Sequence, residues 1–179
     1  MNSNQYILFL RAVNVSGKNI IKMAELKSLL IQEGFEGVKT YIQSGNVLLQ
    51  SSLSKTDVQN KVHRIIQEKF ELDITIFIYT QEELISILDK NPYKLPLEGN
   101  KVIITFIEIG IAAEIINKIK LIDIGNETFT IHNHIVYYYL PDGMAKSKLN
   151  NSFFEKQLKT LATGRNRNTI EKILLMSAQ

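Results

Sequence analysis

The 179 residues contain no cysteine, which removes disulfides, Cys-ligated zinc and thiol nucleophiles together. Histidine is scarce. His132 and His134 flank Asn133 at an expected hairpin tip, and His63 falls off the core stripe of its helix, so a third imidazole ligand is lacking and no metal is expected. No cofactor is implied. Long apolar runs are missing as well: Val102–Ile107 is strand-length and far too short to cross a bilayer. Met1-Asn2-Ser3-Asn4-Gln5 lacks the basic and apolar regions of a signal peptide, so none is expected. The expectation is a cytoplasmic protein with no membrane partner, built without low-complexity segments.

What is present is ordinary in amount and uneven in placement. An apolar fraction of 45% and a charged fraction of 22% suit a soluble globular chain. A chain of this size buries roughly 70% of its unfolded surface, so no staples are needed. The net charge is +3, but residues 1–23 hold Arg11, Lys18 and Lys22 with no acid. Residues 144–179 carry Lys146, Lys148, Lys156, Lys159, Arg165, Arg167 and Lys172 against Glu155 and Glu171. The middle of the chain is therefore acidic. Such asymmetry points to an anionic partner, against the alternative of scattered, solvated charges.

Periodicity gives the element order. Tyr6–Leu10 is a continuous apolar run, a strand covered on both faces. Met23, Leu26, Leu29 and Leu30 recur at helical spacing before Gly34. Val38–Ile42 and Val47–Gln50 form a hairpin through Gln43-Ser44-Gly45-Asn46. Ser54-Lys55-Thr56-Asp57 caps a helix with the stripe Val58, Val62, Ile65, Ile66 and Phe70, and Ile74–Tyr79 alternates as a strand. The order βαββαβ defines a ferredoxin-like α+β unit over residues 1–80. Residues 81–179 form a second, smaller α+β unit packed on the first: a capped helix from Thr80, a loop at Tyr93–Asn100 as the candidate boundary, a strand at Val102–Ile107, a helix at Ala112–Ile119, and a hairpin of Phe129–His132 with Ile135–Leu140. Helices capped at Ser152 and Asn168 end it. This second unit reads as an incomplete layer with C-terminal helices appended.

Several blocks then become familiar. Leu10-Arg11-Ala12-Val13-Asn14-Val15-Ser16-Gly17-Lys18-Asn19, Lys22-Met23-Ala24-Glu25-Leu26 and Thr40-Tyr41-Ile42-Gln43-Ser44-Gly45-Asn46-Val47 resemble the bacterial domain of unknown function 1697 family. Pro141-Asp142-Gly143, Ser147-Lys148-Leu149 and Arg165-Asn166-Arg167-Asn168-Thr169 extend the resemblance over nearly the whole chain. It implies a ferredoxin-like architecture in a mostly bacterial, cytoplasmic protein, and no activity. At Arg167 the family pattern has an aromatic residue, so a stacking role there is not carried over.

Function is sought in four polar segments: Asn14–Asn19, Gln43–Asn46, Ala145–Lys148 and Arg165–Asn168. Phosphate recognition uses this mixture, with Lys and Arg for charge and amides for geometry. The expected ligand-binding residues are Arg11, Asn14, Lys18, Asn19, Gln43, Ser44, Asn46, Lys146, Lys148, Arg165 and Asn166, on the expectation that the four segments converge. The competing reading is ordinary turn residues and solvated cations. Ser16-Gly17-Lys18 is too short for a P-loop, and neither Ser16 nor Ser44 sits in a nucleophile elbow. Base stacking on the sheet is rejected because Val47, Leu48 and Leu49 offer no aromatic. Tyr137 and Tyr139 share one strand face, more in keeping with packing than with a ligand. The leading expectation is a binding protein for a phosphate-bearing ligand, a nucleotide or nucleic acid, acting as a monomer or weak dimer. The alternatives are an enzyme on a small phosphorylated or nucleotide-like substrate in the same pocket, with no catalytic residue assignable, and a protein–protein interaction module.

Overall fold

The first strand sets the frame. In the computed structural model, which describes residues 3–108 and 110–178, β1 (Asn4–Leu10) is buried from Tyr6 to Leu10. The side chains of a strand alternate between faces, so burial of Ile7 and Phe9 as well as Tyr6, Leu8 and Leu10 means both faces are covered. The protein is α+β, with two four-stranded antiparallel sheets. It divides into two compact units, one holding the residues up to Ile85 and those from Ile173 onward, the other holding Ser86–Lys172.

The first unit runs β1, α1 (Met23–Gln32), β2 (Glu36–Tyr41), β3 (Asn46–Ser51), α2 (Lys55–Phe70), β4 (Ile76–Thr80) and the start of α3 (Gln81–Asp89). Its strand order is β2-β3-β1-β4. Met23, Leu26 and Leu30 of α1 and Val58, Val62, Ile65 and Ile66 of α2 form the core with Leu8, Leu10, Val47 and Leu49. α2 starts where Ser54 Oγ accepts from the Asp57 amide at 3.2 Å, and stops where Glu71 turns left-handed. At the head of α3, Thr80 and Glu83 form a reciprocal capping box: the Thr80 amide donates to Glu83 Oε2, and the Glu83 amide to Thr80 Oγ1.

The second unit contains β5 (Val102–Ile107), α4 (Ala113–Lys120), β6 (Thr128–His132), β7 (Ile135–Tyr139), α5 (Asn151–Leu158) and β8 (Ala162–Asn166), then most of α6 (Arg167–Ser177). The order β6-β7-β5-β8 repeats the first sheet's arrangement, strand for strand. The unit is thus not an incomplete layer. Its fourth strand, Ala-Thr-Gly-Arg-Asn, has no apolar alternation and is fixed instead by its ladder to β5, from Ile103↔Asn166 to Ile107↔Ala162. Gly164 is required there, because a Cβ would lie 2.7 Å from both Thr105 Oγ1 and Asn151 Oδ1. Phe154 anchors the core, with Tyr138 and Phe153 each at 5.2 Å between ring centroids.

Two helix starts differ from the sequence reading. α5 is capped by Asn150, whose Oδ1 accepts from the Phe153 amide at 2.9 Å, rather than by Ser152. α6 is capped by Asn166, whose Oδ1 accepts from the Thr169 amide at 2.8 Å, rather than by Asn168. In both places two or more cap-competent residues adjoin, and tertiary packing selects among them.

Candidate functional site

The segment after β1 folds on itself. Ser16 and Gly17 both have positive φ, 49° and 73°, and the Lys18 amide donates to Val15 O at 2.9 Å. That is the geometry of a type I′ turn, closed outward by the Asn14 amide donating to Asn19 O at 3.1 Å. Ser-Gly-Lys is therefore the tip of a miniature hairpin. The amides of Asn14 and Lys18 are occupied within it, so its backbone is not an anion cradle of the P-loop kind.

Asn14 ties this tip to the β2–β3 turn. Its Nδ2 donates to Ile21 O at 2.9 Å and to Gln43 O at 2.8 Å, while its Oδ1 accepts from the Ile21 amide at 2.9 Å. Only this amide orientation satisfies all three groups. Asn19 Nδ2 donates to Ala12 O at 3.0 Å. The neighbouring turn is locked to the end of β1 by the Leu10 amide donating to Gly45 O at 2.8 Å. Gly45 has φ +76°, and a Cβ on it would sit 2.5 Å from Val13 Cγ2. Asn46 is buried, with Nδ2 donating to Tyr41 O and to Ser44 Oγ at 3.0 Å each. The structure thus brings Asn14, Asn19, Gln43, Ser44 and Asn46 together. Asn14, Asn19 and Asn46 hold the turns in shape, while Lys18 and Gln43 present exposed side chains and Arg11 is half-buried at the exit of β1.

The remaining expected residues lie in the second unit. Lys146 is exposed in a short 3-10 turn, Met144–Lys146. Lys148 Nζ reaches Asp123 O at 3.2 Å and Asp123 Oδ2 at 3.4 Å. The Gly125 amide and Lys148 hold the Asp123 carboxyl below the usual carboxylate range. Arg165 is buried, donating from Nη1 to Thr163 Oγ1 at 2.9 Å and to Gly164 O at 2.8 Å. Burial pushes its pKa down to about 10, still high enough for the guanidinium to stay charged at neutral pH. Asn166 is the α6 cap. Arg167 staples the loop that the sequence marked as a boundary: Nη1 donates to Tyr93 O at 3.1 Å and Nη2 to Leu97 O at 2.6 Å. Its buried Nε lies 3.4 Å from Glu171 Oε1, an ion pair without hydrogen-bond alignment.

Two features the sequence raised are structural in form. Tyr137 is buried with its hydroxyl donating to Ile87 O at 2.8 Å, and Tyr139 stacks on Tyr93. His63 Nε2 is 2.8 Å from Asp73 Oδ1. A depression of about 620 Å³ in the second unit went unread in the sequence; its described lining residues, Gly110, Ile111, Ala112, Ile116, Asn133 and His134, include no carboxylate or lysine.

A chain of two antiparallel α+β units with matching strand orders defines the class of protein. The chain belongs to the protein family of unknown function DUF1697, whose pattern matches residues 3–137. It is also similar in fold to the solved structure of the conserved bacterial protein SP0830 from Streptococcus pneumoniae, at 23% identity and a TM-score of 0.75, covering 98% of this chain and 99% of that one. No curated protein matches the chain.

Proposed function

We propose that the protein is a cytoplasmic binding protein for a phosphate-bearing ligand, engaged by the two turns of its first unit. The reading is carried by one observation: Asn14 ties the Lys18 hairpin to the Gln43 turn, and both Lys18 and Gln43 keep exposed side chains. Lys18 and Arg11 supply charge and Gln43 orients, as charge-assisted phosphate contacts require. We further assign each unit to the ferredoxin-like fold, a reading supported by the element order βαββαβ and the strand orders β2-β3-β1-β4 and β6-β7-β5-β8. The test is a fluorescence titration against nucleotides and short oligonucleotides at two salt concentrations. Binding that weakens steeply with salt, and weakens again in Lys18→Gln, supports the reading; no binding at low salt ends it.

A further inference from the structure

Three aliphatic side chains stand exposed around the same two turns: Val15 at 56%, Ile20 at 57% and Ile42 at 51%. Each adjoins a residue of the Asn14 network in the chain: Val15 follows Asn14, Ile20 precedes Ile21 and Ile42 precedes Gln43. Val15 also pairs across the I′ turn with Lys18, which places aliphatic and cation side by side. Ile42 is the telling residue. It is exposed, and its φ of +49° is one that β-branched residues rarely adopt. Neither burial nor backbone preference accounts for an isoleucine there, and an observed outlier of this kind points toward function.

We propose that this patch is a peripheral docking surface for anionic phospholipid, with Lys18, Arg11 and Lys22 on the headgroup phosphates and Val15, Ile20 and Ile42 at the acyl boundary. The proposal rests on the phosphate-binding reading above and names the ligand. Charge complementarity supports it, because residues 1–23 hold three cations and no acid. Shape favours a bilayer over other phosphate-bearing partners. The Ser16-Gly17 turn tip has open space around Gly17, and a fluid interface accepts such a tip without a matching groove. Three side chains are too few for a stable protein interface, which takes about 20–30 residues a side. A nucleic acid would bring base faces, and none of these three side chains is an aromatic on which they could stack. Among the described residues no helix is long and apolar enough to cross a membrane, so the contact is at the surface.

The test is co-sedimentation of the full chain with vesicles of phosphatidylglycerol and phosphatidylcholine, against pure phosphatidylcholine vesicles and an oligonucleotide titration in parallel. The expected result is binding to the anionic vesicles alone, lowered about tenfold by Ile42→Asn and roughly fivefold by Lys18→Gln. Asn tolerates a left-handed φ, so Ile42→Asn keeps or raises the melting temperature, which separates lost binding from lost folding. Val15→Ser with Ile20→Ser is the second variant and lowers binding in the same way. Vesicle binding indifferent to all the aliphatic variants would be mere charge adsorption and overturns the proposal. Oligonucleotide binding without vesicle binding overturns it while leaving the phosphate-binding reading intact. If neither binds, the proposal falls, and the phosphate-binding reading falls with it when the nucleotide titration is also negative.

Discussion

Replacing Asn14 by Asp changes one atom and probes the whole arrangement. Asp keeps the acceptor for the Ile21 amide and tolerates the positive φ of 55° at this position. It loses both donors, and places a carboxylate oxygen 2.8–2.9 Å from two carbonyl oxygens, Gln43 O and Ile21 O. Two lost hydrogen bonds at about 1 kcal/mol each, with the added charge–dipole repulsion, give a loss of about 3 kcal/mol at neutral pH. Chemical denaturation followed by circular dichroism should show a lower midpoint with unchanged slope.

The pH dependence makes the reasoning sharper. Facing two carbonyls, the new carboxyl has a folded-state pKa above its unfolded value of about 3.9. Protonation restores one donor, so the favourable contribution is complete below about pH 3.9 and disappears as pH rises through the folded-state value. The gap between wild type and Asn14→Asp should therefore narrow on acidification. Equal stability at neutral pH, or a gap indifferent to pH, would refute the network.

Gly45→Ala should destabilise by about 3 kcal/mol, since its Cβ meets Val13 and Leu10 and its φ is +76°; thermal unfolding reads the loss. Glu127→Ala should lower stability by about 2–3 kcal/mol, because the buried carboxylate accepts from the amides of Lys148 and Leu149 at 3.2 and 3.0 Å. Glu127→Gln, which keeps one acceptor oxygen, should fall between in the same denaturation assay. Burial pushes Tyr137 and Tyr138 up to about 12, and burial with the Glu83 charge raises Tyr79, so ultraviolet titration should show these three ionising above the free-tyrosine value of about 10. The raised values of Tyr137 and Tyr138 make their contribution to stability complete below about pH 10 and lost as pH climbs through about 12, and ionisation of both near pH 10 would contradict this.

Elements that declare themselves by local chemistry were legible. The apolar run of β1, the α2 stripe and the Ser54 and Thr80 caps each need only their own neighbours to be recognised. β8 was not, because Ala162–Asn166 becomes a strand only through its partner β5, and no short-range pattern encodes that ladder. The site divides in the same way. That the two turns are rich in amides could be read from composition, but Asn14 reaches 29 residues along the chain to Gln43, a contact invisible to periodicity. The Ser16-Gly17 dipeptide did carry a turn signal of its own. Read as a hairpin tip rather than the start of a phosphate loop, it would have placed Val15 and Lys18 side by side from sequence.

Charge was the weakest guide. Counted along the chain, residues 144–179 are the more basic segment, yet much of that charge faces inward or has company. Arg165 and Arg167 are buried and engaged with backbone carbonyls, and Lys148 sits beside Asp123. A phosphate approaching Lys148 meets the Asp123 carboxylate as well, and exposed pairs of this kind leave little net field. No hydrogen bond or ion pair is made by the Lys18 side chain to any described residue, and the stretch around it has no acid. Anion binding should therefore fall roughly fivefold in Lys18→Gln and hardly change in Lys148→Gln. The Lys18 variant alone should flatten the salt dependence, by about one phosphate's worth of counterion release. If Lys148→Gln proves the more damaging of the two, the site lies with the second unit's cations, and the two turns of the first unit are structural only.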